Sequence, residues 1–394
     1  MLKEPTKKYL RLLTYLSGFF LSIHIAFPSY FNSKFLSQFL KNDQIGIIYI
    51  TAAIITIFSI IYIPKLIHKI GLLKTISLIT FIDLLAIAPI AFLKNPAIIL
   101  VFFIIYYALG AVVRYTLDIY LEKISDDRNT GDIRGIFLTF TNIAWLISPF
   151  LAGILISNRG FPIIFIISAI TLIPVLYLSL FHLKEEESHR RIETPHVWDA
   201  LKKLWGDRTP ATHNIRSILC VDFLLNLFYA IMVIYMALYL EEKIGLTKEN
   251  IGIIFTAMLL PFVLFELPLG KLADKYLGEK ELLTAGLIIT SLTTIAISFT
   301  TVPTVWLWAF VLFMTRIGAC TVEIMKETYL FKKITEKDTN ILSISRNMVP
   351  ITYIIGPLFT SIFIVFFDQK YIFLVLGLVM LFGLKYSLTI KDTK

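Results

Sequence analysis

Gly270-Lys271-Leu272-Ala273-Asp274-Lys275-Tyr276-Leu277-Gly278-Glu279-Lys280 is a short, charged, turn-like stretch with an apolar run on each side. The run before it, Ile251 to Leu269, and the run after it, Leu282 to Thr300, are each long enough to cross a bilayer as a helix. A tight cationic loop between two spans is expected in the cytoplasm, where Lys and Arg are retained. A degenerate copy lies in the other half of the chain, Pro64-Lys65-Leu66-Ile67-His68-Lys69-Ile70-Gly71-Leu72-Leu73-Lys74. There Leu66, Lys69 and Gly71 keep their places, Pro64 replaces the first Gly, and His68 replaces the Asp.

Composition extends this reading to the whole chain. Of 394 residues, 57% are hydrophobic and 16% charged, against about 25% charged in soluble domains. Apolar runs recur from end to end. In lipid the backbone must satisfy its own hydrogen bonds, which leaves helices or a closed barrel. The runs are too long and too continuously apolar for barrel strands. The net charge of +9 is no footprint of nucleic acid, because the larger share of Lys and Arg falls on one side of the membrane. Cys220 and Cys320 both lie in apolar runs, so neither a disulfide framework nor a metal site is expected. Met1 to Lys8 leads into an apolar span with no small-residue cleavage site and reads as a cytoplasmic tail.

In chain order the sequence predicts twelve spans, with both termini cytoplasmic. Residues 1–183 form an N-terminal six-helix half and 214–394 a C-terminal one. The linker 184–213 carries Val197, Trp198, Leu201, Leu204 and Trp205 on one helical face, as in a helix lying on the membrane surface or a solvated linker. Trp306 and Trp308 are expected at the outer interface. Three landmarks recur at nearly constant offset: Pro64 with Gly270, Asp118-Ile119-Tyr120-Leu121 with Glu327-Thr328-Tyr329-Leu330, and Ser148-Pro149 with Gly356-Pro357. The two halves are therefore a parallel repeat.

The opening stretch resembles the loop motif of the major facilitator superfamily, Gly-x-Leu-Ala-Asp-basic-x-Gly-basic-Lys. Gly270, Leu272, Ala273, Asp274 and Lys275 match in register, and Leu277 is one residue too many before Gly278. The resemblance covers essentially the whole chain. It implies an all-α polytopic membrane protein of the major facilitator fold, with twelve transmembrane helices in two six-helix pseudo-symmetric halves and a solute site near the midplane. Ala144 to Gly153 resembles the family's antiporter motif, with Pro149 and Gly153 matching and Ala144, Ser148 and Ala152 standing for glycines. That leans toward export, although close packing explains small residues equally well. Tyr106 stands where the family has a span-four Arg, which weakens any copied proton relay.

Ionisable residues at membrane depth are candidates for function by default. Arg316, near the middle of span ten, requires a carboxylate partner or an anionic solute. Glu323 lies two turns on, and Asp222 in span seven is a second possible partner. Glu266, in Phe265-Glu266-Leu267-Pro268, either exchanges a proton or pairs within a gate. His24 in span one and Asp83 in span three are further candidates, His24 as a titrating group or a neutral hydrogen-bonded ring; by the resemblance, span three is usually peripheral. Tyr107, Asn226, Tyr229 and Trp145 are expected to line the cavity. By resemblance, Gly270, Asp274, Lys275, Gly71, His68, Arg114, Asp118, Glu327 and Arg346 form a cytoplasmic gate. Asp274 would accept from the free N–H groups at the start of span five, and Arg346 would face His68, giving a lopsided latch.

No Gly-x-x-x-x-Gly-Lys-Ser/Thr loop occurs, which disfavours ATP-driven transport. The expectation is a secondary active transporter of a small organic solute, proton-coupled and directed outward, in the plasma or inner membrane. Uptake by symport, and a membrane sensor without turnover, stay open as alternatives. No enzymatic activity, no cofactor and no nucleic-acid partner are expected. The partners are a small solute, protons and the bilayer, and the chain is expected to be a monomer.

Overall fold

The computed structural model describes residues 4–124, 130–184, 202, 204–207, 209–272, 278–333 and 339–391. Its principal helices are α1 (Glu4–Ser29), α2 (Asn32–Leu36), α3 (Asn42–Ile70), α4 (Leu72–Ile90), α5 (Pro96–Ile124), α6 (Thr130–Arg159) and α7 (Pro162–Phe181). They continue with α8 (Pro210–Glu242), α9 (Lys248–Leu272), α10 (Glu279–Ile297), α11 (Val305–Lys333), α12 (Thr339–Phe366), α13 (Lys370–Phe382) and α14 (Leu384–Thr389). No strand occurs among the described residues. Twelve segments are long and apolar enough to cross a membrane; α13 and α14 together make the last, and α2 is a short cap after α1. The chain is an all-α membrane protein of twelve spans in two six-helix halves.

Local sequence explains where helices start and stop. Pro162 and Pro210 stand in the first helical turns of α7 and α8, where a missing N–H costs nothing. The Thr209 side chain accepts from the Thr212 N–H at the start of α8. Gly71 and Gly278 precede α4 and α10 with φ of 91° and 83°, a backbone that a side chain would strain. The two motif copies therefore share a glycine of the same backbone conformation before the next helix.

By packing, residues 1–40 and 51–194 form one compact unit, and residues 41–50 and 195–394 form another. In the first, α1 packs on α6, α7 and α5, and α4 on α5 and α7. In the second, α8 packs on α12 and α11, and α10 on α11 and α13. These are corresponding spans, so the repeat seen in sequence is a repeat of contacts. The second unit also joins α9 tightly to α11. In the first, a cleft of about 450 Å³ opens between α3, α4 and α5, lined by Tyr62, Lys65, Leu66, Lys69, Ile79 and Leu109 among others.

The polarity is that of a bundle in lipid. Phe58, Ile170, Phe299, Trp306, Phe310 and Ile362 are exposed, whereas Thr80, Thr290, Ser291 and Thr294 are buried. Ala144, Ser148 and Ala152 are fully buried on one stripe of α6, and Ser148 Oγ bonds back to the Ala144 carbonyl at 2.6 Å. Small residues also let α10 and α11 touch backbone to backbone. A Cβ on Gly318 would stand 2.5 Å from Thr290 N and 2.7 Å from Gly286 O.

Two expectations change. Trp308 does not face outward: it is fully buried, edge-on to Tyr239, and its Nε1 donates to Val302 O at 2.9 Å, while Trp306 is exposed. The stretch read as a turn from Gly270 begins inside a helix, since Gly270 to Leu272 close α9. Its remainder, 273–277, lies outside the described residues, as does most of the linker helix.

Candidate functional site

The second unit holds one cluster on α8 and α11. Arg316 is only 2% exposed, far from the usual place of a guanidinium. Its terminal carbon lies 5.1 Å from the Phe228 ring centroid and 5.0 Å from that of Tyr229, in range for cation–π attraction. Tyr229 faces two ways, because its hydroxyl donates to Glu323 Oε2 at 2.6 Å. Arg316 makes no ion pair among the described residues, and its Nε has no hydrogen-bond partner there.

Asp222, the other proposed partner, is committed elsewhere. It is 2% exposed and pairs with Lys326 of α11. It also accepts from Ser345 Oγ of α12 and from Asn226 Nδ2 at 2.8 Å. Three donors compensate the carboxylate, and the network ties α8, α11 and α12 together. Lys326 is the cationic member of this network.

In the first unit, His24 of α1 meets Asp83 of α4. His24 Nε2 lies 3.2 Å from Asp83 Oδ2, and both side chains are fully buried. The other ring nitrogen, Nδ1, is 2.8 Å from Ser168 Oγ and 3.2 Å from Ser168 O of α7. Tyr106 of α5 stands edge-on to the His24 ring at 6.0 Å, and its hydroxyl exchanges hydrogen bonds with Asn32. Asp83, expected on a peripheral helix, is thus at the centre of four.

The remaining candidates scatter. Tyr107 stacks on Phe103 at 6.0 Å, and Trp145 stands edge-on to Tyr30 at 6.2 Å. Arg114 and Asp118 are half-buried, whereas His68 and Glu327 are exposed. Asp274 and Lys275 lie outside the described residues, and so do the side chains of Glu266, Gly270 and Arg346. Of the gate candidates, Gly71, His68, Arg114, Asp118 and Glu327 lie among the described side chains and backbone. Near the same loops, two ties escaped sequence reading: Lys332 with Glu279 at 2.5 Å, and Arg11 Nε donating to Ile124 O at 3.2 Å. Ser168, Ser345 and Phe228 were also missed, since a small hydroxyl or a ring in an apolar run carries no local signal.

No curated protein matches the sequence. Among solved structures, a mutant of the nucleoside transporter NupG superposes with a TM-score of 0.75 at 13% identity, covering 97% of this chain and all of that one. At that identity the likeness concerns the fold alone. The sequence profile of the Major Facilitator Superfamily matches residues 11–247 and 218–392. With the two six-helix halves and the buried charges on their spans, this makes the chain a member of the major facilitator superfamily.

Proposed function

We propose that the protein is a proton-coupled secondary active transporter that moves a small organic solute by alternating access. The carrying observation is Arg316, a permanently charged side chain buried in a membrane span with aromatic faces beside it and no carboxylate partner among the described residues. A buried charge is costly unless compensated; among the described residues only ring faces attend this one, which suits a solute whose electron-rich group completes the site. Tyr229 and Glu323 stand ready as hydrogen-bonding neighbours. Asp222, Glu323, Glu266 and His24 are the groups we assign to proton exchange. Export is the direction we assign, on the antiporter-like stretch from Ala144 to Gly153. We place the protein in the plasma or inner membrane with both termini in the cytoplasm. Transport, not catalysis, is its activity.

Counterflow in proteoliposomes tests this reading. The solute panel should include sugars, amino acids, amphiphilic drugs and nucleosides, the last only because of the fold neighbour. Wild-type protein should exchange one class, and Arg316→Gln should abolish that exchange while eluting as a folded species. Undiminished exchange in Arg316→Gln would refute the role given to the guanidinium. Accumulation driven inward by an inward proton gradient would reverse the assigned direction.

A further inference from the structure

We infer that His24 and Asp83 form a proton-binding site within the first unit, holding one proton between Nε2 and Oδ2 and clamping α1 to α4. The hydrogen-bond pattern around the ring carries this. Ser168 Oγ donates its single proton to the His24 carbonyl at 2.7 Å. Toward Nδ1, at 2.8 Å, the hydroxyl is therefore an acceptor. The Ser168 carbonyl, also near Nδ1, can only accept. With two accepting oxygens beside it, Nδ1 is the nitrogen to which we assign the hydrogen. In a neutral ring the other nitrogen, Nε2, is then a bare lone pair.

That lone pair faces Asp83 Oδ2 at 3.2 Å. With the carboxyl ionised, two electron-rich atoms would oppose each other in a fully buried place. Neither Asp83 oxygen has a hydrogen-bond partner among the described residues, so nothing else compensates the charge. One added proton resolves the contact. On Nε2 it makes an imidazolium–carboxylate pair; on Oδ2 it makes a carboxylic acid donating to the ring. Either way the pair binds one proton and its net charge goes from −1 to 0.

Other groups leave the pair to itself. From α5 the facing titratable group is Tyr106, whose hydroxyl is engaged by Asn32; Gly110 lies beside the pair, and Arg114 and Tyr115 follow a turn later. α7 presents Ser168, its titratable Tyr177 being exposed near the far end. α4 carries Lys74 at its start as its other ionisable group. On α1, Tyr15 and Arg11 lie two turns or more away, Arg11 bound to Ile124 O.

A role for this site in transport rests on the proton coupling proposed above; the site itself does not. Its test needs no solute. Asp83→Asn replaces the held proton with a permanent amide N–H able to donate to Nε2. In purified full-length protein, the thermal midpoint of wild type should fall when pH is raised far enough to strip the held proton. The variant should lose that dependence. A variant that follows the wild-type pH profile would overturn the proposal. Should Asp83→Asn not fold, ¹⁵N-histidine spectra of wild type decide. The chain has six histidines, and Gln variants of the other five isolate the His24 signals. A hydrogen on Nδ1 together with a protonated or hydrogen-bonded Nε2 at neutral pH is the expected result; a bare Nε2, or a neutral ring with its hydrogen on Nε2 alone, overturns the site. Failure of counterflow with a positive ¹⁵N result would sink the transport reading and leave the proton site standing.

Discussion

Tyr229 donates its phenolic hydrogen to Glu323 at 2.6 Å while its ring face lies against the guanidinium of Arg316 at 5.0 Å. One side chain thus serves an anion at its edge and a cation on its face. The two services separate by substitution.

Tyr229→Phe keeps the face and removes the donor; Tyr229→Leu removes both. A hydrogen bond to a charged group contributes about 1.5–3 kcal/mol, and a desolvated cation–π contact about 2 kcal/mol. Both variants should lower the thermal midpoint of the detergent-purified protein, Leu more than Phe. Equal losses would mean that the ring does nothing for Arg316.

The Asp222 network makes a sharper prediction. Lys326→Met leaves a buried carboxylate with only neutral donors, and breaking a buried pair from one side costs about 3–5 kcal/mol. Asp222→Asn together with Lys326→Met removes both charges and should recover most of that loss. A thermal-shift double-mutant cycle measures this. If the double variant is less stable than the sum of the singles, charge compensation is not what holds α8 to α11.

Gly318 tests the close approach of α10 and α11. Gly318→Ala drives a methyl group into the Thr290 and Gly286 backbone, where no rotamer offers relief, and overpacking of this kind costs about 1–3 kcal/mol. Gly135→Ala is the control, because a Cβ there meets nothing within 4 Å. It should be neutral or stabilising by about 0.5–1 kcal/mol, as expected for Ala over Gly in a helix. Fluorescence-detected size exclusion after heating separates the two.

The sequence made the architecture legible because lipid imposes a crude rule. A span must be long, apolar and helical, and loops between spans must be charged, so twelve spans and a two-fold repeat can be read from residue order. Gly71 and Gly278 hold corresponding places before their helices with the same backbone conformation. Partners were not legible. His24 and Asp83 are 59 positions apart on helices that meet only after folding, and no local spacing announces them. Lys326 and Asp222 likewise meet only across helices, 104 positions apart. Trp308 has the flanks of an interfacial residue but is drawn inward by Tyr239 and the Val302 carbonyl.

The glycine contact between α10 and α11 has a mechanical meaning. Two backbones in direct touch have no layer of side chains on which to slide, so these helices turn together as a single lever. Bending in the second unit is then left to helices whose hydrogen-bond ladders are interrupted. Those are α9, with Pro261 and Pro268, and α12, with Pro350 and Pro357.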